Sequence, residues 1–197
     1  MYYYSIDKTA VAEFKDRGSR FIAYAYPLKN AEEFKKILQG LKKDHPKAVH
    51  HCFAYRIGYD GNNFRVNDDG EPGGSAGKPI LNAIDSKNLT NILIVVVRYF
   101  GGTLLGVPGL INAYKSAAAM ALQLVPFIQY PIEISYQLQF DYTVMNEVMM
   151  IIKQMNCSII KQDYQLFNVI EIGIPKAKLQ EALDKIRQLH TVELRKV

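Results

Sequence analysis

The sequence predicts an α/β and α+β protein of two domains, on three observations. An aliphatic run at residues 92–97 opens through glycines into a helix faced with alanines. Pro126 and Pro131 bracket a short segment, residues 127–130, that reads as a linker. Beyond that bracket the hydrophobic period restarts in the order βαββαβ, the ferredoxin-like signature. The expected domains are therefore residues 1–127 and 132–197.

In the first domain, strands at residues 20–26 and 50–59 flank a helix that begins after Asn30. Asn30 and Glu33 have the capping-box spacing, Phe34, Ile37, Leu38 and Leu41 share one face, and Pro46 prevents continuation. Residues 60–63, DGNN, turn the chain toward a hairpin partner at 64–66. A short helix at 79–84 precedes the 92–97 run, whose length and β-branching suit a strand covered on both faces. Leu110, Ala113, Tyr114, Ala117, Ala121 and Leu124 then continue one helical face. In the second domain Ile134, Tyr136, Leu138 and Phe140 alternate as a strand, and Val144, Val148, Ile151, Ile152 and Met155 form a helical face. Strands at 157–164 and 167–174, a helix from Pro175 carrying Leu179, Leu183 and Ile186, and a strand at 191–197 complete the pattern. Met145, Met149, Met150 and Met155 read as core packing.

With 197 residues, 49% hydrophobic and 22% charged, the chain is long enough to bury a core and has the composition of a globular protein. No apolar run approaches the ~20 residues that span a bilayer, so no membrane partner is expected. The first eight residues lack the basic and apolar regions of a signal peptide, which points to a cytoplasmic protein. Cys52 and Cys157 fit no Cys-x-x-Cys pattern and read as reduced thiols. A net charge of +5 permits contact with nucleic acid or an acidic protein without requiring it, since the lysines are scattered.

Two glycine-rich stretches carry the functional signal. Residues 98–106, RYFGGTLLG, place a cation, a glycine turn and a helix N-terminus together, the ingredients of an anion cradle. Gly101 and Gly106 have the P-loop spacing, but Val107 and Pro108 follow in place of Lys and Ser or Thr, and G-x-G-x-x-G is absent. Residues 67–81, NDDGEPGGSAGKPIL, are too rich in glycine and proline for a regular ladder. Asp68, Asp69 and Glu71 there are either hard-cation ligands or turn caps; an EF-hand is excluded because Arg65 and Ala76 would occupy its first and twelfth positions. Arg98 and Lys78 suit an anionic partner, although Arg98 has an alternative as the counter-ion of Asp68 or Asp69. Tyr99, Phe100 and Tyr114 read either as core or as base-stacking platforms, with one of Tyr99 and Phe100 facing inward. His50 and Cys52 share a strand face, which His51 does not; a packed thiol beside a hydrogen-bonded histidine is preferred over a nucleophile.

The order and wording of these stretches, NDDGEPGGSAGKPIL followed by VVVRYFGGTLLG, resemble the YigZ and IMPACT family of translation-associated proteins. The opening FKDRGSRFI at 14–22 and AVHHCFAY at 48–55 are weaker matches, and together the motifs cover residues 14–114. Pro108 and Asn112 depart from the family's pattern, which has Gly and Arg there. The resemblance implies a ribosomal-protein-S5 second-domain-like fold for the first domain and, for the second, a ferredoxin-like domain similar to elongation factor domain V. It implies a noncatalytic regulator that binds RNA, the ribosome or a translation-related protein. An enzyme acting on a phosphorylated or peptide substrate and a pure protein-interaction module are the rival readings. The expected ligand-binding set is Asp68, Asp69, Glu71, Ser75, Lys78, Arg98, Tyr99, Gly101, Gly102 and Tyr114. Arg17, Arg20, Lys78 and Arg98 are the expected nucleic-acid contacts, with no catalytic residue, metal or cofactor.

Overall fold

The structure is a computed structural model that describes residues 1–164 and 168–197. Two compact units divide the chain: residues 3–130, and residues 131–197 together with residues 1–2. In chain order β1 (Tyr2–Ser5), β2 (Ala10–Asp16) and β3 (Ser19–Pro27) precede α1 (Ala31–Asp44). Then come β4 (His50–Ile57), β5 (Asn63–Asn67), α2 (Gly77–Asp85), β6 (Ile92–Tyr99), α3 (Gly106–Gln123) and β7 (Ile128–Pro131).

The first unit is built on a five-stranded sheet of order β2-β3-β6-β4-β5, antiparallel at every pairing. Because β3 and β4 both pair with β6, they run parallel to each other, and α1 is the crossover that joins them. β6 is the centre of the unit. Ile94 and Val96 pack with Ile80, Ile84 and Tyr114 in the cluster under α2 and α3. Leu93, Val95 and Val97 meet Phe34 and Leu41 of α1 on the opposite face. Every side chain from Ile92 to Val97 is fully buried, and each such aliphatic group contributes about 1.5–3 kcal/mol relative to an exposed one. Burial on both faces is why the strand reads as a continuous aliphatic run rather than an alternation.

α1 is capped as its sequence predicts, with Asn30 Oδ1 accepting the Glu32 and Glu33 N–H groups at 3.1 and 2.9 Å. Glu33 reaches back one residue further than the box requires, accepting the Lys29 N–H at 2.9 Å. Two expectations are corrected here. Residues 127–130 are not an unstructured linker, because Ile128–Pro131 pairs with β1 as a two-stranded sheet. The partner strand lies at the other end of the unit, so no local pattern announces it, and Pro131 falls at the last strand position where its missing N–H costs nothing. The aliphatic strand also extends past Val97 through Tyr99, so Arg98 lies in the ladder rather than in the turn.

The second unit contains β8 (Glu133–Phe140), α4 (Met145–Met155), β9 (Ser158–Tyr164), β10 (Asn168–Pro175), α5 (Leu179–Arg187) and β11 (Val192–Lys196). Its sheet has the order β11-β8-β10-β9, with all pairs antiparallel. Val148, Ile152, Leu183 and Ile186 of the two helices pack on Leu138, Phe140, Ile170 and Ile172. Phe167, expected to open a strand, lies outside the described residues. Met155 is in this core, whereas Met150 is 54% exposed and is not core packing. Among the described residues, no helix is long and apolar enough to cross a membrane.

Candidate functional site

β6 sets the floor of the site. Arg98 is in register with Phe21 of β3 and His50 of β4, so these side chains share the sheet face covered by α2 and α3. Arg98 Nη1 donates to Glu71 Oε1 at 2.6 Å, and the Tyr114 hydroxyl donates to the same oxygen at 2.7 Å. The guanidinium lies 5.4 Å from the Phe21 ring centroid and 5.7 Å from that of Phe100. Arg98 and Glu71 are only 5% and 8% exposed. His50 completes the group, with Nε2 3.8 Å from Glu71 Oε1 and Nδ1 2.8 Å from the Asp69 carbonyl. A carbonyl only accepts, so Nδ1 carries the hydrogen and Nε2 of the neutral ring keeps its lone pair.

The acidic loop delivers Glu71 by its backbone. Asn67 Oδ1 accepts the Asp69 N–H at 2.6 Å, and left-handed conformations at Asp69 (φ 44°) and Gly70 (φ 92°) reverse the chain. Asp68 Oδ1 accepts the Ala76 and Gly77 N–H groups at 3.0 and 2.8 Å, and its Oδ2 that of Gly74 at 2.8 Å. It thereby caps α2, whose own N-cap residue, Ala76, has no polar side chain. Asp69 Oδ2 accepts the His51 N–H at 2.7 Å, and Oδ1 lies 3.7 Å from Lys42 Nζ. The three carboxylates thus serve three different sets of protein partners rather than converging on a cation. Ser75 is buried, donating to the Pro72 carbonyl at 2.6 Å.

The glycine turn is a packing device. Gly101 N–H donates to Ser19 Oγ at 3.1 Å, and a Cβ at Gly101 would overlap the Gly18 and Ser19 backbone. Gly102 adopts φ 87°. The turn is therefore pressed onto the β2–β3 hairpin, next to the opening motif.

Several expected contacts are corrected by this geometry. Arg98 is not an open cation: its charge is met by Glu71, neither Asp68 nor Asp69 being its partner. Tyr114 is fully buried between Glu71 and Cys52 and stacks on no base. Tyr99 faces α1, bonded through its hydroxyl to His45 Nδ1 at 2.8 Å, on the opposite side of the sheet from Arg98. Arg20 lies over the Tyr99 ring and is held by Glu13 at 3.2 and 2.9 Å. Arg17 and Lys78 are exposed, as is Asn112 on α3. Burial pushes the Cys52 thiol well above its ordinary range, and it donates to the Asp68 carbonyl at 3.0 Å, which removes it as a nucleophile.

Over the Arg98–Glu71 pair opens a cavity of about 410 Å³. Its walls are apolar: Val49, Phe100, Leu104, Leu105, Val107 and Leu110. Leu104 is 82% exposed at its rim, and Phe100 and Val107 are roughly half exposed. The two glycine-rich stretches meet here through Glu71, Pro72, Arg98 and Phe100. His50 is read from the sequence only as a hydrogen-bonded histidine beside a packed thiol, and Leu104 and Val107 escaped the sequence reading. The signal that marks them is the density of large apolar residues in a turn, TLLGVPGL, where solvent-facing positions are ordinarily polar.

The first unit is thus a central antiparallel sheet carrying a glycine-bounded apolar cavity over a buried ion pair, and a smaller α+β unit follows it in the chain. Residues 17–122 match the family model described as the Impact N-terminal domain. IMPACT family member YigZ of Escherichia coli (strain K12) is 36% identical over 181 residues, covering 90% of this chain and 87% of that protein. An IMPACT family member of Haemophilus influenzae is 33% identical over 180 residues, with the same coverage of 90% and 87%. A crystal structure described as that of an hypothetical protein superposes with a TM-score of 0.77 at 30% identity, covering 100% of this chain and 97% of that one. The chain belongs to the IMPACT family.

Proposed function

We propose that the chain is a noncatalytic, cytoplasmic regulator associated with translation, which binds a translation-related protein through the cavity at the β6–α3 junction. In this reading the first unit is S5-second-domain-like and the second ferredoxin-like, similar to elongation factor domain V; the β11-β8-β10-β9 order with both helices on one face supports the latter. One observation carries the functional reading: the charge of Arg98 is answered by Glu71 beneath apolar walls. Binding to a phosphate backbone runs on uncompensated cations, which this floor lacks. Exposed Leu104 and Phe100 beside a concave apolar surface suit a protein contact instead. An enzymatic reading is less favoured, since the cavity wall presents neither hydroxyl nor thiol side chains and its carboxylate, Glu71, is already held by Arg98 and Tyr114.

The test is sedimentation of the purified protein with a ribosome-containing extract through a sucrose gradient, compared with Leu104→Asp. Leu104 is exposed, so the substitution leaves the core intact. The wild type is expected to migrate with ribosomal or translation-factor fractions and the variant to remain at the top. A wild type that never leaves the top, or a variant that migrates with it, overturns the reading.

A further inference from the structure

We propose that the cavity receives a single uncharged apolar residue, together with its flanking peptide groups, from an extended segment of a partner protein. This rests on the protein-binding reading above and specifies what the site recognises. Arg98 forms one hydrogen bond, from Nη1. Its Nε is buried and has no hydrogen-bond partner among the described residues. A guanidinium more than nine-tenths buried that leaves a donor unmatched is costly unless something else accepts from it.

Further donors lie alongside. α3 begins in the cavity wall, its N-cap residue Leu105 provides no side-chain cap, and the first N–H groups of any helix have no partner within it. His50 lines the same cavity, and with Nδ1 donating to the Asp69 carbonyl, Nε2 is the acceptor whenever the ring is neutral. Donors for a carbonyl beside an acceptor for an N–H are the complement of a peptide group. Because Glu71 already cancels Arg98, a ligand carboxylate or phosphate would meet a carboxylate rather than a free cation. The volume, about 410 Å³, is in the range of sites that enclose a small ligand, and Phe100, Leu104 and Leu110 give it an apolar lining for a side chain.

The experiment uses the ¹⁵N-labelled full chain and three probes at matched concentration: N-acetyl-leucine-N-methylamide, N-acetyl-leucine and inorganic phosphate. The readouts are the Arg98 Nε–H and the Gly106 and Val107 amide resonances. The neutral amide is expected to shift all three saturably, the free acid to bind several-fold more weakly, and phosphate to leave them unmoved. Leu104→Asp, folded by its own spectrum, should weaken the amide about tenfold or more through lost apolar contact. Equal or tighter binding of the acid or phosphate overturns the proposal in favour of an anion site. So does a wild type unmoved by the amide. If the amide fails while Leu104→Asp still abolishes co-sedimentation, the specific recognition falls and the protein-binding reading stands. If co-sedimentation is unaffected by Leu104→Asp, the underlying reading falls with it.

Discussion

Arg98 Nη1 and Glu71 Oε1 lie 2.6 Å apart, although 27 residues separate them in the chain, and both residues are more than nine-tenths buried. The pair fastens the acidic loop to the end of the central strand. Removing one partner leaves the other buried and charged. Glu71→Ala is therefore expected to lower unfolding stability by about 3–5 kcal/mol, while Arg98→Met combined with Glu71→Leu costs less than Glu71→Ala alone. Urea denaturation of the three variants checks this, and equal losses for the single and double substitutions would contradict it.

Gly101 is held against the hairpin backbone, where a Cβ would overlap Gly18 and Ser19. Gly101→Ala should cost about 3 kcal/mol by forcing the turn away from the hairpin. Gly73, around which a Cβ meets nothing within 4 Å, is the control and should change little on substitution by alanine. Thermal melts of both variants compare them directly.

His51 is 8% exposed, and its Nε2 is buried without a hydrogen-bond partner. Burial lowers its pKa below the ordinary histidine value, against the smaller opposing pull of Asp69. The unfolded chain then binds the proton more readily than the folded one, so stability is greatest above the unfolded pKa and declines as pH falls below it. Urea midpoints of the wild type should drop between neutral pH and mildly acidic pH. His51→Phe should flatten that decline.

Neither thiol should react readily in the native protein. Burial pushes Cys157 up to about 11 and Cys52 further still. With Ellman's reagent at mildly alkaline pH, both should react slowly, Cys157 ahead of fully buried Cys52, and denaturant should release both at once. A fast native phase from Cys52 would contradict its place behind Tyr114.

The parts of this fold legible in the sequence are those whose cause is local. The aliphatic residues of β6, the alanine face of α3 and the Asn30 cap of α1 each reflect a period or a spacing within a few residues. β7 escaped because Pro126 and Pro131 suggest a linker and its partner strand stands at the far end of the unit. Among the expected site residues, Arg98 is legible as a charge near a strand end. Its partner was not readable, since Asp68, Asp69 and Glu71 are chemically alike in the sequence. The left-handed turn at Asp69 and Gly70 decides which of them points inward. The positions of Tyr99 and Tyr114 were not legible for a related reason: strand register and helix packing, both long-range, send one to the α1 face and bury the other.

The central claim, that this cavity recognises apolar protein rather than polyanion, is tested most directly by the salt dependence of binding to ribosome-containing fractions, measured for the wild type and Leu104→Asp. Apolar recognition over a neutral floor leaves wild-type binding largely unchanged as salt rises, and Leu104→Asp abolishes it at every concentration. Wild-type affinity that falls linearly on a log–log plot against salt, with Leu104→Asp binding equally well, would contradict the account and identify a phosphate-backbone contact elsewhere on the chain.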